Sequence, residues 1–217
     1  MATFNLKNKN SIAGRFVAEL RDVQIQKDRM RFRRNLERLG EIFAYEISQT
    51  LEYASRSIET PLGIAEAQLP AQQIVLATIL RAGIPLHQVL LNYFDDADSA
   101  FVSAYRKHHK SGQFDIKVEY ITCPPLDDKV LIICDPMLAT GASMDLSIKA
   151  LLENGQPAEL HIVTAIASTS GLSYIKRLYP KAHIWLGDQD EELTAKSYIV
   201  PGLGDAGDLC FGSKIQE

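Results

Sequence analysis

The sequence holds 217 residues, 46% of them apolar and 23% charged, which suits one sizeable domain and excludes a disordered chain or a coiled coil. Lys plus Arg number 23 against 27 Asp plus Glu, and the net charge of −4 argues against bulk electrostatic binding of nucleic acid. Cys123, Cys134 and Cys210 are widely spaced and form no ligand pairing, and the apolar runs are too short to span a bilayer, so no membrane partner and a reducing, cytoplasmic setting are expected.

In chain order, residues 15–38 carry eight Arg or Lys and four Asp or Glu. They lead into Phe32, Leu36, Leu39, Phe43 and Ile47, whose steps of 4, 3, 4 and 4 trace one helical stripe. The pattern predicts a long amphipathic helix with Asp28 as N-cap and Thr60-Pro61-Leu62-Gly63 as its stop, so that residues 1–65 form a helical arm. Its basic face, around residues 29–38, reads as solvated surface, with a phosphate or subunit contact as the alternative. Beyond the arm the periodicity changes. Short β-branched runs at 74–80, 100–105, 118–121, 130–134, 160–167 and 183–186 read as strands buried on both faces of a parallel sheet.

Helical stretches at 85–91, 143–153 and 171–178 each follow a strand, with Pro85 suited to a first turn. Strand, helix, strand units give an α/β class: an open, mainly parallel sheet flanked by helices, in one domain spanning 1–217. Residues 106–116, charged and aperiodic, are expected to be a loop over a site. Residues 187–217, acidic and then Gly-rich, are expected to form a hood beyond the last strand.

In such a sheet, ligands bind at the turns that follow strands. The turn after 130–134 reads Asp135-Pro136-Met137-Leu138-Ala139-Thr140-Gly141-Ala142-Ser143 and runs into a helix. Small residues let main-chain N–H groups converge on an anion, the helix start adds positive charge, and Thr140 and Ser143 offer hydroxyls, so the turn reads as a monophosphate cradle. The competing reading is an ordinary helix cap at Ser143. Asp135 is placed to accept hydrogen bonds from the hydroxyls of the sugar that carries the phosphate. A Walker A loop is absent from the sequence.

This turn resembles the phosphoribosyl-diphosphate (PRPP) loop of type I phosphoribosyltransferases, in the version found in the uracil phosphoribosyltransferase family. Two further segments agree with it: Ile79-Leu80-Arg81-Ala82-Gly83, and a tail at 198–208 that includes Ile199, Gly204, Asp205 and Ala206. The resemblance implies transfer of a phosphoribosyl group from PRPP to uracil, giving UMP and diphosphate. It further implies that Arg81 and Arg106 touch the diphosphate, that Asp205 also faces PRPP, that Mg²⁺ is carried mainly by PRPP and water, and that chains pair as homodimers or larger homo-oligomers. The tail's main-chain groups at Ile199, Gly204 and Ala206 would meet O2, N3–H and O4 of uracil and leave cytosine mismatched.

Three departures from the family pattern stand out. Ala142 replaces a usual Gly, and its methyl would disfavour a positive φ; Lys107 follows Arg106 in place of Asp; and residues 190–197 lack the usual Asn. Gly202, Gly204 and Gly207 spell a dinucleotide fingerprint, but the required βαβ unit with an acidic residue about 20 positions on is not there. His87, His161 and His183 look isolated and read as packing or surface residues, not metal ligands. The rival readings are a PRPP- or uracil-sensing regulator that binds nucleic acid through residues 29–38, and a phosphoribosyltransferase for another base.

Overall fold

A short strand, Thr3–Asn5 (β1), precedes the helix Ala13–Arg21 (α1) and the longer helix Arg29–Ser48 (α2). The computed structural model describes residues 3–108 and 114–213, with the backbone alone at 104–108 and 114–118. Asp28 caps α2, its carboxylate accepting from the Arg31 N–H at 3.1 Å, and Phe32, Leu36, Leu39, Phe43 and Ile47 are all buried along one stripe.

The helical arm, however, stops at Ser48. Residues 53–60 and 63–70 form an antiparallel hairpin, Tyr53–Thr60 (β2) with Gly63–Pro70 (β3), and Thr60-Pro61-Leu62-Gly63 is its tip with Thr60 opposite Gly63. The apolar 3.6-residue period has run out by Leu51, so nothing holds 53–60 helical, and Pro61 sits in the turn where its missing N–H costs no ladder bond. Leu62 and Ile64, 100% and 78% exposed, stand on this hairpin.

The remaining elements are Ile74–Leu80 (β4), Ile84–Tyr93 (α3), Asp98–His108 (β5), Phe114–Thr122 (β6), Val130–Cys134 (β7), Met137–Leu138 (β8), Ala142–Leu152 (α4), Glu159–Ser168 (β9), Thr169–Leu178 (α5) and His183–Asp190 (β10). The main sheet has the order β1-β10-β9-β7-β4-β5-β6, with β8 beside β9, and every ladder is parallel except β5 with β6. Along β7, Val130, Ile132 and Cys134 join a core with α1, α2 and α3, while Leu131 and Ile133 face α4 and α5. That alternation explains the unbroken apolar runs: each strand is covered on both faces. The α/β reading therefore stands.

Two boundaries move. The stretch 106–116 is largely strand: β5 reaches His108, β6 starts at Phe114, and Arg106 lies opposite Ile116. Edge pairing gives these charged residues a ladder that their composition hides; residues 109–113 lie outside the described residues. The expected hood at 187–217 starts later, because β10 runs to Asp190 and pairs with β9 up to Ser168. Beyond it come a two-stranded ribbon, Glu192–Leu193 (β11) with Ile199–Val200 (β12), and the helix Ala206–Phe211 (α6). Among the described residues, no helix is long and apolar enough to cross a membrane.

Candidate active site

The carboxyl ends of β4, β7 and β10 lie on one edge of the sheet, and each carries a segment singled out above. The cradle after β7 is knitted into the sheet. The Asp135 N–H donates to Val163 O at 3.1 Å, Pro136 O accepts from the Ala165 and Ile166 N–H groups, and Ser168 Oγ donates to Ala139 O. Its helix begins at Ala142, one residue before the expected Ser143. Gly141 is the N-cap with no side-chain cap, so the capping role considered for Ser143 is not found. The positive φ of +83° falls on Gly141, leaving Ala142 in an ordinary helical turn where its methyl is tolerated. Asp145, in the first turn of α4, accepts from Lys149 Nζ, Tyr174 Oη and Tyr179 Oη at 2.9, 2.9 and 2.7 Å, which ties the cradle helix to α5.

The turn after β4 touches this cradle directly. A methyl at Gly83 would stand 2.8 Å from Cys134 O and 2.2 Å from Thr78 Oγ1, so the approach of the two turns depends on glycine. Cys134 Sγ donates to Gly83 O at 3.7 Å. From this turn Arg81 extends to the tail, its Nη2 donating to Asp208 Oδ1 at 3.3 Å and to Gly212 O at 3.2 Å. Arg106 belongs to β5, not to a turn after it, and its side chain, like that of Lys107, lies outside the described residues.

The tail closes the arrangement. Ile199, Leu203 and Ala206 are buried in the core, and Asp205 caps α6 by accepting from the Asp208 N–H at 3.0 Å. Gly204 takes φ +96° and makes no hydrogen bond with a described residue, and Ala206, first in α6, has no acceptor within its helix. Burial, then the nearby Asp205 carboxylate, push Asp135 up to about 7 against the Met137 N–H that favours its ionised form. The cradle and the tail therefore face the same space. The glycine triplet at 202–207 does follow a short strand and open a helix, but among the described residues no strand follows α6, so the dinucleotide unit is incomplete.

A family model described as uracil phosphoribosyltransferase matches residues 8–213. The chain belongs to the uracil phosphoribosyltransferase family. A uracil phosphoribosyltransferase of Porphyromonas gingivalis is 53% identical over 216 residues, covering 99% of this chain and all of the relative, and one of Thermococcus gammatolerans is 37% identical over 203 residues, covering 92% and 89%. The solved structure of the AQ2163 protein from Aquifex aeolicus superposes with a TM-score of 0.87 at 27% identity, over 99% of this chain and 100% of that one.

Within this uracil phosphoribosyltransferase framework, several residues that hold the site together went unnoticed in the sequence. The basic face of α2 is not simply solvated. Arg31 donates to Glu19 of α1 at 2.9 and 2.8 Å, Arg33 donates to Cys210 O at 2.6 Å, and the Arg38 guanidinium lies 5.3 Å from the Phe16 ring centroid. Those contacts tie up Arg31, Arg33 and Arg38, three of the cations that a nucleic-acid-binding regulator would need on this face. Asp188 and Asp190 were also missed as partners of Arg21; their signal was a pair of carboxylates at the end of a strand, where site residues gather.

The histidines are not isolated either. Glu159, His161 and His183 bring possible ligand atoms within 4.8 Å, at the opposite end of the strands from the cradle. His161 Nδ1 accepts from Trp185 Nε1 at 3.1 Å, so its Nε2 carries the proton, lies 3.2 Å from Glu159 Oε2 and has no lone pair for a metal. Burial holds His161 down to about 4, and the His161 and His183 rings stack at 4.8 Å. Their role is packing. The three cysteines are free, and burial pushes Cys134 and Cys210 up to about 12, which leaves both thiols inert.

Proposed function

We propose that this chain transfers the 5-phosphoribosyl group of PRPP to uracil, as the names of its relatives state for them. The uracil N1–C1′ bond forms, the C1′–O bond to diphosphate breaks with its electron pair leaving on diphosphate, and N1 loses its proton, giving UMP in pyrimidine salvage. The observation that carries the reading is the convergence of three segments: a rigid anion cradle at 135–143, a main-chain tail at 199–206, and the β4 turn, which meets the end of β7 at Gly83 and sends Arg81 to Asp208 and Gly212 just beyond that tail.

In this reading the cradle binds the 5′-phosphate through its N–H groups and the Thr140 and Ser143 hydroxyls, Asp135 accepts from the ribose hydroxyls, and Ile199, Gly204 and Ala206 grip the base. Arg81 leaves Asp208 for the arriving diphosphate and, with Arg106, offsets its charge as it departs. Mg²⁺ suits this site, because Asp205 lies near enough to disfavour the charge on Asp135, and a cation there would relieve that repulsion. It would be carried by diphosphate oxygens and water, and when bound it neutralises the leaving group. Three unpaired cysteines fit a reducing, cytoplasmic setting.

The test is to incubate the protein with PRPP, Mg²⁺ and, separately, uracil, cytosine, orotate and hypoxanthine. Turnover of uracil alone is expected; turnover of another base without uracil, or binding without turnover, rejects the assignment. We further infer that two chains pair through the exposed β2–β3 hairpin, since a lone two-stranded ribbon with Leu62 and Ile64 bare is marginal in water. Light scattering should give twice the chain mass, and Ile64→Lys should shift it towards the monomer.

A further inference from the structure

We propose that Arg21 and Asp190 are positioning residues for the base: together they clamp the turn that presents the uracil-gripping main chain. The inference rests on the reading of residues 199–206 as the base site. Arg21, the last residue of α1, sends Nη1 to Asp190 Oδ2 at 2.8 Å and to Gly202 O at 2.9 Å, and Nη2 to Asp190 Oδ1 and Asp188 Oδ2, both at 2.9 Å. Asp190 Oδ2 in turn accepts from the Gly202 N–H at 2.9 Å. Both main-chain groups of one tail residue are thus held by one partly buried ion pair, a closed ring of charge-assisted hydrogen bonds.

Gly202 is suited to the grip. Its φ is +58°, and a methyl there would come within 2.1 Å of Ile199 O, so this turn admits glycine alone. Leu203 next to it is buried, which fixes the chain on the other side. Two residues beyond the clamp stands Gly204, and Ala206 follows two residues later. An ion pair that merely joined α1 to β10 would have no reason to engage the main chain of the tail. Asp188 supplies that comparison: it pairs with Arg21 and with Lys7 but touches Gly202 nowhere among the described residues.

Steady-state kinetics of the full chain separate the possibilities. Asp190→Ala should raise the uracil KM about tenfold, with the PRPP KM and kcat within about threefold of wild type. Asp190→Asn, which still accepts from the Gly202 N–H, should recover most of that loss. Asp188→Asn should leave the uracil KM within about twofold. A uracil KM unchanged in Asp190→Ala, an equal rise for both substrates, or the same loss in Asp188→Asn would overturn the proposal. If Asp190→Ala does not fold, Arg21→Lys carries the comparison, since one ammonium cannot hold Asp190 and Gly202 O in the same fork; a rise for uracil alone supports the clamp and an equal rise for PRPP refutes it.

Ala206→Leu reports on the underlying reading. If it leaves the uracil KM unchanged, the base lies elsewhere and the tail reading falls, taking the clamp's role with it. If it raises that KM while Asp190→Ala and Arg21→Lys do not, only the clamp fails.

Discussion

The cradle and the tail face one space but are held in opposite ways. The cradle is fixed by main-chain bonds to its own sheet, Asp135 to Val163 and Pro136 to Ala165 and Ile166, with partners about 30 residues away. The tail owes its place to side chains from distant elements: Arg21 on Gly202, Arg33 on Cys210 and Arg81 on Gly212. Those main-chain bonds make the cradle as rigid as the sheet it joins. The tail has no ladder to the main sheet, so guanidiniums from three places hold its carbonyls.

The sharpest way to break the comparison is at the point where the halves meet. Arg81→Ala and Asp205→Ala should each lower kcat/KM by 10²–10³-fold, about 3–4 kcal/mol of barrier, with far-ultraviolet circular dichroism unchanged; activity within about twofold would remove those roles. Next, Gly83→Val should cost about 3 kcal/mol of stability, because its side chain meets Cys134 O and Thr78 Oγ1, and a thermal melt should fall by roughly 10 °C. A melt unchanged by that variant would show that the two turns have slack between them.

A third probe loosens the junction between α1 and α2, the helices that carry Arg21 and Arg33. Glu19 is held down to about 2, first by hydrogen bonds from Arg31 and then from Asn35. A depressed carboxylate stabilises the fold above its unfolded value of 4.5, and that contribution is lost as pH falls from 4.5 towards 2. Glu19→Gln should therefore cost about 2 kcal/mol at pH 7 and flatten the melting profile below pH 4.5; a profile parallel to wild type would assign the acid sensitivity elsewhere.

The smallest effect belongs to the cradle. With Asp135 pushed up to about 7, its acceptor carboxylate is mostly protonated at pH 6 and mostly ionised at pH 8. The kcat/KM for PRPP should rise about tenfold across that span, and Asp135→Asn should remove the part that does not come from PRPP itself. An identical pH profile in the variant would place the titration outside Asp135.

The same contrast explains what the sequence reveals. The cradle is contiguous: an apolar strand, the nine-residue turn at 135–143 and a helix follow one another without a break, so local chemistry suffices to read it. The tail's glycines are readable too, but its supports are not, because Arg21 and Asp190 lie 169 residues apart and only the strand order brings them together. The hairpin at 53–70 escaped for a different reason. Its exposed, polar alternation gives a weak strand signal, and Pro61 in its turn mimics a helix stop. Edge strands such as β6 suffer likewise: Asp115 and Lys117 look like loop residues until a partner strand is supplied.

One feature at the far edge of the sheet bears on how the molecule is made. Strand β1 pairs with β10, and Phe4 stacks on Trp185 with ring centroids 4.0 Å apart. Strand β1 thus has no sheet partner until residues some 180 positions later have been synthesised, and Arg21, although its helix α1 already packs on α2, waits for Asp190 as well. Nascent chains shorter than this can build the central strands and the cradle at 135–143, but the turn at Gly202 takes shape only when Arg21 and Asp190 have met.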